Sequence, residues 1–240
     1  MQVLDLSLDS PEENLALDEA LLDEVESSAG EDVLRFWESA TPFVVLGAAQ
    51  VLRQEVDEEA CLKDGVAIMR RCSGGGCVLQ GPGCLNFAAI LTYAGRPDLR
   101  SFRGSYRLIL GRLAKAFEDR GFSVSRAGVS DLALDGGKVS GNAQCRRQKT
   151  ILHHGTLLYG MGAAGMGKYL REPVKRPVWR RERPHHTFVG RIDADPAVLR
   201  AVVCEAFGGG TAAPLEPRVL DAARKLAIEK YATRKWIYRR

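Results

Sequence analysis

Three glycine-containing stretches hold the residues of this sequence that are best suited to chemistry. They read RRCSGGG (70–76), DGGKVSGNAQ (135–144) and HHGTLLYG (153–160). Glycine allows backbone N–H groups to approach an oxyanion closely, and arginine or lysine supplies the positive charge that a carboxylate or phosphate needs. Together, the three stretches predict a site that binds an anionic group.

Lys138 is the candidate for the central charged group of that site. Ser140 and Gly141 follow it closely, and such small residues leave room for a ligand beside its ammonium. Arg70 and Arg71 alternate along a predicted strand, so only one of the two can face a given site. The sequence alone leaves open which of the two arginines it is.

His153 and His154 are also neighbours on a predicted strand and must point to opposite faces. A histidine that is hydrogen-bonded to the adjoining strands is an equally good interpretation of either one, because buried polar groups are normally paired. We therefore assign a general base to neither residue.

A plain glycine-rich turn is the simpler alternative for residues 73–76, since glycine is the usual solution for tight turns. The stretch lacks the G-K-[ST] ending of a P-loop, and it is not a G-x-G-x-x-G motif before a helix. No C-x-x-C pair occurs, which argues against a zinc site. We expect the six cysteines to be reduced packing residues: Cys61, Cys72, Cys77, Cys84, Cys145 and Cys204.

The composition is that of a globular enzyme. The chain has 240 residues, of which 45% are hydrophobic and 27% charged. Its net charge of +4 is too small to indicate a nucleic-acid partner. No apolar run reaches the roughly 20 residues that cross a bilayer, and the acidic N-terminus does not resemble a secretory signal. We therefore expect a cytoplasmic protein without a membrane or nucleic-acid partner.

The elements that must position these residues are strands grouped together and helices separate from them, which predicts α+β architecture in one domain. The patterns predict helices at 10–27, 55–65, 101–121, 163–170, 196–207 and 217–231. They predict strands at 33–38, 42–47, 66–71, 84–93, 122–126, 131–134, 137–143 and 150–160, with the first two joined by a short turn.

The sequence resembles the lipoate–protein ligase A family of the biotin/lipoate protein ligase superfamily. Matching segments extend from NLALDEALL (14–22) through RRCSGGG and SDLALDGGKVSGNAQ (130–144) to EKYATRKW (229–236). The resemblance implies a mixed, largely antiparallel sheet with flanking helices. It also implies one catalytic domain over residues 1–240, without the C-terminal accessory domain of larger ligases.

By this resemblance, the protein is a ligase that converts lipoate or octanoate with ATP and Mg²⁺ into an acyl-adenylate. It would then transfer the acyl group to a lysine of an acidic lipoyl carrier domain. Lys138 would be catalytic and would contact both the acyl carbonyl and the α-phosphate. The nucleotide would be contacted by Arg71, Gly76, Cys77, Val78, Leu79 and Lys138, and the lipoate by Ser73, Gly74, Gly75, Lys138, Ser140, Gly141, His154 and Gly155.

Two segments depart from the family pattern or match no part of it. CVLQGPG (77–83) stands where relatives commonly have an alanine after the glycines and then a His-Asp pair. The basic segment 173–190 is predicted as a lid, a carrier-docking surface or a plain solvated loop.

Two other functions stay open. The first is a cysteine-dependent octanoyltransferase that moves octanoyl from one carrier to another through a thioester. Residues 125–134 and Ile151, where the two branches of such enzymes have their cysteine, contain none. The second is a subunit that binds lipoate or the carrier domain and needs a separate accessory chain.

Overall fold

An eight-stranded sheet holds most of the residues singled out above. The computed structural model describes residues 1–28, 30–173 and 176–240. The strands are β1 Gln2–Asp5, β2 Val33–Trp37, β3 Phe43–Leu46, β4 Ala67–Arg70, β5 Val78–Gln80, β6 Cys84–Thr92, β7 Ser125–Ala127, β8 Asp131–Leu134, β9 Gly137–Arg146, β10 Thr150–Leu158 and β11 Thr211–Ala212. The strands of the large sheet follow the order β11-β1-β2-β6-β10-β9-β8-β7, and a second sheet has the order β4-β3-β5.

Helices cover both faces of the large sheet. They are α1 Pro11–Ser28, α2 Leu52–Glu55, α3 Glu58–Asp64, α4 Phe102–Glu118, α5 Met166–Tyr169, α6 His185–Phe188, α7 Pro196–Ala206, α8 Pro217–Leu226 and α9 Arg234–Ile237. Short 3-10 turns span Pro97–Arg100, Ala163–Gly165 and Val178–Arg180, and a π-helical turn spans Ala227–Tyr231. The pairing is mixed and largely antiparallel, so the predicted α+β architecture is confirmed.

The predicted apolar stripe of α1 is buried. Leu17, Leu21 and Val25 pack in one cluster with Ala88 and Ile90 of β6. The opposite face of the sheet packs against α4 and α7. The strongest hydrophobic periodicity along the chain therefore corresponds to the layers that bury the sheet.

The two strands predicted at 33–38 and 42–47 are present, but they do not pair with each other. β2 lies between β1 and β6 in the large sheet, whereas β3 pairs with β4 and β5 in the small sheet. The chain between them therefore connects two sheets rather than closing a hairpin. Strands β1, β5 and β11 were not predicted, and β5 and β11, with three and two residues, are too short to show a period of two.

The predicted helix at 101–121 is present and ends earlier, at Glu118. Gly121 lies beyond it with φ of 84°, in the left-handed region that favours glycine. Among the helices of the described ranges, none combines the length and apolar character that crossing a bilayer requires.

Candidate functional site

Lys138 lies on β9 next to an acidic partner from the adjacent strand. Its Nζ is 2.8 Å from Oδ1 of Asp131, which begins β8, and the Lys138 side chain is 26% exposed. A Cβ at Gly141 would lie only 3.0 Å from Lys138 Nζ. Glycine at this position therefore keeps the space beside the ammonium open, as the sequence predicted.

Two cavities meet at Lys138. The first, which we call the narrow cleft, has a volume of about 100 Å³ and extends between α1, β2 and β10, past Leu15, Trp37 and Phe87. The second, the wide cavity, has a volume of about 620 Å³ and extends under the segment 176–189. The wall that the two cavities share consists of Gly76, Cys77, Val78, Ser130, Asp131, Lys138, Gly141 and Thr156.

Arg71 organises the glycine loop from inside the narrow cleft. Its guanidinium donates to the Ser73 hydroxyl at 3.0 Å and to the carbonyl of Gly76 at 2.8 Å. These bonds hold the loop in a curve that brings Gly75 and Gly76 to the cleft. Arg71 thus shapes the site and contributes charge to it.

Arg70 points the opposite way, as the alternation predicts. Its fully buried guanidinium donates to the carbonyls of Gly47, Trp236 and Ile237 at 2.9 to 3.1 Å. It therefore attaches β4 to the C-terminal helix α9 and takes no part in the site.

His154 connects the glycine loop to α1. Its Nε2 is 2.5 Å from the Ser73 hydroxyl oxygen, and its Nδ1 is 3.6 Å from Asp18 Oδ2. The Ser73 hydroxyl also accepts a hydrogen bond from Arg71, and the second ring nitrogen of His154 is directed towards Asp18.

Ser73, His154 and Asp18 thus follow the order of a nucleophile, a base and an orienting acid. Ser73 is 1% exposed and lies in the wall of neither cavity. A substrate in the cleft cannot reach its hydroxyl, so the hydrogen bonds of Ser73 to Arg71 and His154 position the loop.

His153 belongs to the other face of β10, where sheet neighbours satisfy it. Its Nδ1 accepts from Gln144 Nε2 at 3.0 Å, and its Nε2 is 3.2 Å from Asn142 Oδ1. Burial lowers the pKa of His153 to about 3, so the ring is neutral. A Cβ at Gly155 would overlap the same Asn142 oxygen, which explains the glycine after the histidine pair.

Most of the predicted site residues do come together. The narrow cleft is lined by Arg71, Gly75, Gly76, Cys77, Val78, Lys138, Gly141, His154 and Gly155. Leu79 lines only the wide cavity, and Ser73, Gly74 and Ser140 line neither. Ser140 is buried and its hydroxyl accepts a hydrogen bond from Asn142 at 3.0 Å. Which of these residues contact nucleotide or lipoate stays a prediction.

Trp179 is the residue near Lys138 that the sequence did not single out. Its indole N–H donates to Oδ2 of Asp131 at 3.1 Å, so Asp131 binds Lys138 with one oxygen and Trp179 with the other. Only its place within a basic, aromatic-containing segment could have drawn attention to it.

The basic segment that carries Trp179 is packed and held by ion pairs. Arg180 is 3% exposed, pairs with Glu172 at 2.6 Å and lies over the ring of Phe188. Arg183 lies over the rings of Trp179 and Phe188. A plain solvated loop is therefore the wrong description for 176–189. Val174 and Lys175, which also belong to the predicted segment 173–190, lie outside the described residues.

Cys77 is the one cysteine of the described residues that lines either cavity. Burial raises the pKa of its thiol to about 12, although the nearby Arg71 charge favours the thiolate. Cys77 is therefore a neutral thiol, and it lines the same wall as Lys138.

Known proteins match the chain over most of its length. A family model, the lipoyl protein ligase A/B catalytic domain, matches residues 10–191. The octanoyltransferase LipM of Carboxydothermus hydrogenoformans is 29% identical over 95% of this chain and 94% of that protein. A probable lipoate-protein ligase A of Mycoplasma pneumoniae is 33% identical over 65% of this chain, but only 45% of that protein is covered.

The fold also matches that of a solved protein. A bi-partite lipoate protein ligase from Thermoplasma acidophilum, described together with its E2 lipoyl domain, is 22% identical and superimposes with a TM-score of 0.85 over 99% of this chain and 95% of its own. Because the family model covers far more than half of the sequence, the chain belongs to the lipoyl protein ligase A/B catalytic domain family, whose members include lipoate ligases and octanoyltransferases.

Proposed function

We propose that the protein is an octanoyltransferase, which takes an octanoyl group from a carrier thioester and delivers it to a lysine of a lipoyl carrier domain. Full-length similarity to an octanoyltransferase supports this over the ligase function, since the ligase relative aligns over less than half of its own length. The sequence pattern favoured the ligase, and the comparisons favour the alternative.

One observation supports the proposal most directly: Cys77 and Lys138 lie in the same short wall between the two cavities. A thioester mechanism needs a thiol and a group that stabilises the oxyanion around one reacting carbon. In the part of the chain that the structure describes, no other cysteine lines either cavity.

The first step would be a thiol exchange. The Cys77 sulfur attacks the octanoyl carbonyl, the bond from that carbon to the carrier sulfur breaks, and the Cys77 proton passes to the departing thiol. Lys138 offers its ammonium to the carbonyl oxygen as negative charge develops there. The raised pKa of Cys77 requires that this proton leave during the attack rather than before it.

The second step would form the amide. The amine of the lipoyl-domain lysine attacks the thioester carbon, the bond from that carbon to Cys77 breaks, and a proton from the amine returns to the Cys77 sulfur. The enzyme is regenerated without consumption of ATP. Lys138 stabilises the second oxyanion as it did the first.

The two cavities suit the two parts of the substrate. Leu15, Trp37 and Phe87 offer an apolar lining to an aliphatic chain in the narrow cleft. The wide cavity, lined by Leu158, Met166 and Phe188 among others, would accept the arm that carries the thioester.

The ATP-dependent ligase is the second candidate, and the desolvated Cys77 thiol favours it, because adenylation needs no enzyme nucleophile. The wide cavity adjoins Lys138 and lies within the usual size range of ligand pockets, so a nucleotide fits beside the ammonium. Within the described ranges, no group of three or more His, Cys, Asp or Glu side chains could hold a metal ion. Mg²⁺ bound to nucleotide phosphates would rely on Asp131, which Lys138 and Trp179 already occupy.

We further propose that residues 1–240 act as one catalytic domain. Strand β1 near the N-terminus pairs with β11 near position 211, so early and late parts of the chain share one sheet. By the same proposal the acidic lipoyl carrier domain is the acceptor, and an accessory chain is not needed.

The deciding experiment supplies a lipoyl domain with either octanoyl-carrier alone or octanoate with ATP and Mg²⁺, and follows the mass of the acceptor lysine. We expect octanoylation from the carrier thioester without ATP, and an octanoyl adduct on Cys77 that can be trapped by omitting the acceptor. Cys77→Ala should abolish the transfer, and Cys204→Ala, far from both cavities, should retain it.

Octanoylation that requires ATP, releases pyrophosphate and survives Cys77→Ala would establish the ligase instead. No acceptor modification under either condition would reject both activities and leave the binding-subunit interpretation. Repeating the ATP reaction with a partner accessory subunit would then test that interpretation.

A further inference from the structure

A second pair of cysteines lies outside the two cavities. Cys72 follows Arg71 directly, Cys145 lies on β9, and their thiols are in hydrogen-bonding contact. Both side chains pack against the cluster between α1 and the large sheet. Both are partly exposed, in contrast to the buried Cys61 and Cys84.

The surroundings make the two thiols unequal. The hydrogen bond from Cys72 and the charge of Arg147 lower the pKa of Cys145 to about 7, whereas Cys72 keeps its proton. Nη1 of Arg147 is 3.5 Å from Cys145 Sγ. Cys145 is therefore the more readily ionised thiol of the pair, with the Arg147 cation beside its sulfur.

Most charged or titratable neighbours of the pair belong to one network around Glu19, and Arg71 is a further charged neighbour of Cys72. Glu19 of α1 accepts from Arg147 at 3.2 Å, from Lys230 at 2.6 Å and from the Tyr231 hydroxyl at 2.7 Å. The Tyr231 hydroxyl also contacts Cys72. Arg147 also pairs with Asp23 at 2.8 Å, and its contact with the Cys145 sulfur at 3.5 Å places positive charge beside a thiolate at Cys145.

We propose that Cys72 and Cys145 form a reversible disulfide on exposure to a peroxide. The Cys145 thiolate attacks one peroxide oxygen and becomes a sulfenic acid, while the other oxygen leaves as water after taking up a proton. The Cys72 thiol then attacks the Cys145 sulfur, and the hydroxyl departs with the Cys72 proton as a second water. Two electrons pass from the sulfur pair to the peroxide, and a dithiol reductant reverses the change.

The cross-link would reach the acyl-transfer site through the backbone. Cys72 stands between Arg71, which lines the narrow cleft, and Ser73, which binds His154. Cys145 shares strand β9 with Lys138. A disulfide shortens the sulfur–sulfur separation to about 2.05 Å. The glycine loop must therefore shift, and transfer should slow. This consequence for the rate rests on the proposed function, whereas formation of the bond does not.

The test treats the full-length protein with graded hydrogen peroxide and then blocks the remaining thiols with an alkylating agent. Peptide mass spectrometry without reductant should identify one bond, between Cys72 and Cys145, that a dithiol reverses. Cys72→Ser should leave a sulfenic acid at Cys145, and Cys145→Ser should leave Cys72 unoxidised. Cys204→Ser should form the bond like the wild type.

Absence of the bond at peroxide doses that oxidise Cys204 would overturn the proposal, as would equal formation of bonds that involve Cys77. If the bond forms stoichiometrically and the oxidised protein transfers acyl groups as fast as the reduced protein does, the effect on the site is rejected. The proposed disulfide itself then still stands. The bond is scored by mass, so a failure of the proposed octanoyl transfer cannot be confused with a failure of the disulfide.

Discussion

The Lys138 ammonium and the Asp131 carboxylate are 2.8 Å apart, in a wall that borders two cavities at once. The carboxylate is almost fully buried and orients the lysine towards the space that Gly141 leaves free. Lys138 can therefore reach a reacting carbonyl from either cavity without a change of partner. This pair is the centre of the site.

Removal of the ammonium should nearly eliminate acyl transfer. Lys138→Ala should lower kcat by about 10²- to 10³-fold, the usual effect of losing one oxyanion donor. The measurement is the initial rate of lipoyl-domain octanoylation. Lys115→Ala, an exposed lysine of α4, should behave like the wild type. A Lys138→Ala enzyme with wild-type kcat would remove the ammonium from the mechanism.

Trp179 should act on Lys138 through Asp131. Trp179→Phe keeps an aromatic ring but loses the 3.1 Å hydrogen bond to Asp131 Oδ2, so the carboxylate is free to rotate away from the lysine. We expect kcat to fall roughly three- to tenfold, which corresponds to the net value of about one hydrogen bond. Initial rates at saturating carrier measure it.

A double-mutant cycle tests the route of this effect. With Asp131→Ala already present, Trp179→Phe should change kcat little, because the shared partner is gone. Fully additive effects would show that Trp179 contributes to the site independently, for instance as part of the cavity wall.

Arg70 should contribute to stability and not to transfer. Arg70→Met would remove the donor to the carbonyls of Trp236 and Ile237, and we expect a loss of about 3 kcal/mol or more in the free energy of unfolding. Urea denaturation measures it. Arg53→Met, at an exposed residue of α2, should cost little. Stability of Arg70→Met equal to that of the wild type would contradict the anchoring role.

Stability should fall below pH 6.5 because His153 is buried in neutral form. Its pKa is lowered from 6.5 to about 3 in the folded protein. Between these two pH values the unfolded chain therefore binds a proton at His153 that the folded protein does not bind. The part of the unfolding free energy that depends on a neutral His153 is fully present above pH 6.5, and it is lost progressively as the pH falls towards 3. Between pH 7 and pH 5 the loss from this one group is roughly 2 kcal/mol.

The variant His153→Gln tests whether His153 causes this pH dependence of stability. The variant keeps hydrogen-bonding groups but has no titration in this range, so its unfolding free energy should change less than that of the wild type between pH 7 and pH 5. Urea denaturation at the two pH values provides the comparison. Identical changes in both proteins would mean that His153 is protonated in the folded state or is not responsible.

The features that the sequence predicted correctly depend on residues that are close together in the chain. The stripe of α1 and the opposite directions of Arg70 and Arg71 follow from the repeat of a single helix or strand, and both are present. The role of glycine beside Lys138 also needs only neighbouring residues. Such features depend on geometry within a few positions of the chain.

Side-chain contacts between segments that are far apart in the sequence could not be predicted from local patterns. Trp179 and Asp131 meet although 48 positions separate them, and the packing of Arg180 and Arg183 on aromatic rings reversed the simplest interpretation of a charged segment. Cys77 likewise needed the cavities to distinguish it from the other cysteines.

The amino-acid sequence by itself determined the α+β class and the family, and it singled out the lysine that the structure places between the two cavities. Only the tertiary structure decided that β2 and β3 belong to different sheets, and which cysteine lines the cavity wall that contains this lysine. The reason is physical: helix and strand periods, and the freedom of glycine, are properties of adjacent residues. Strand partners and cavity walls depend on which surfaces meet when the whole chain packs.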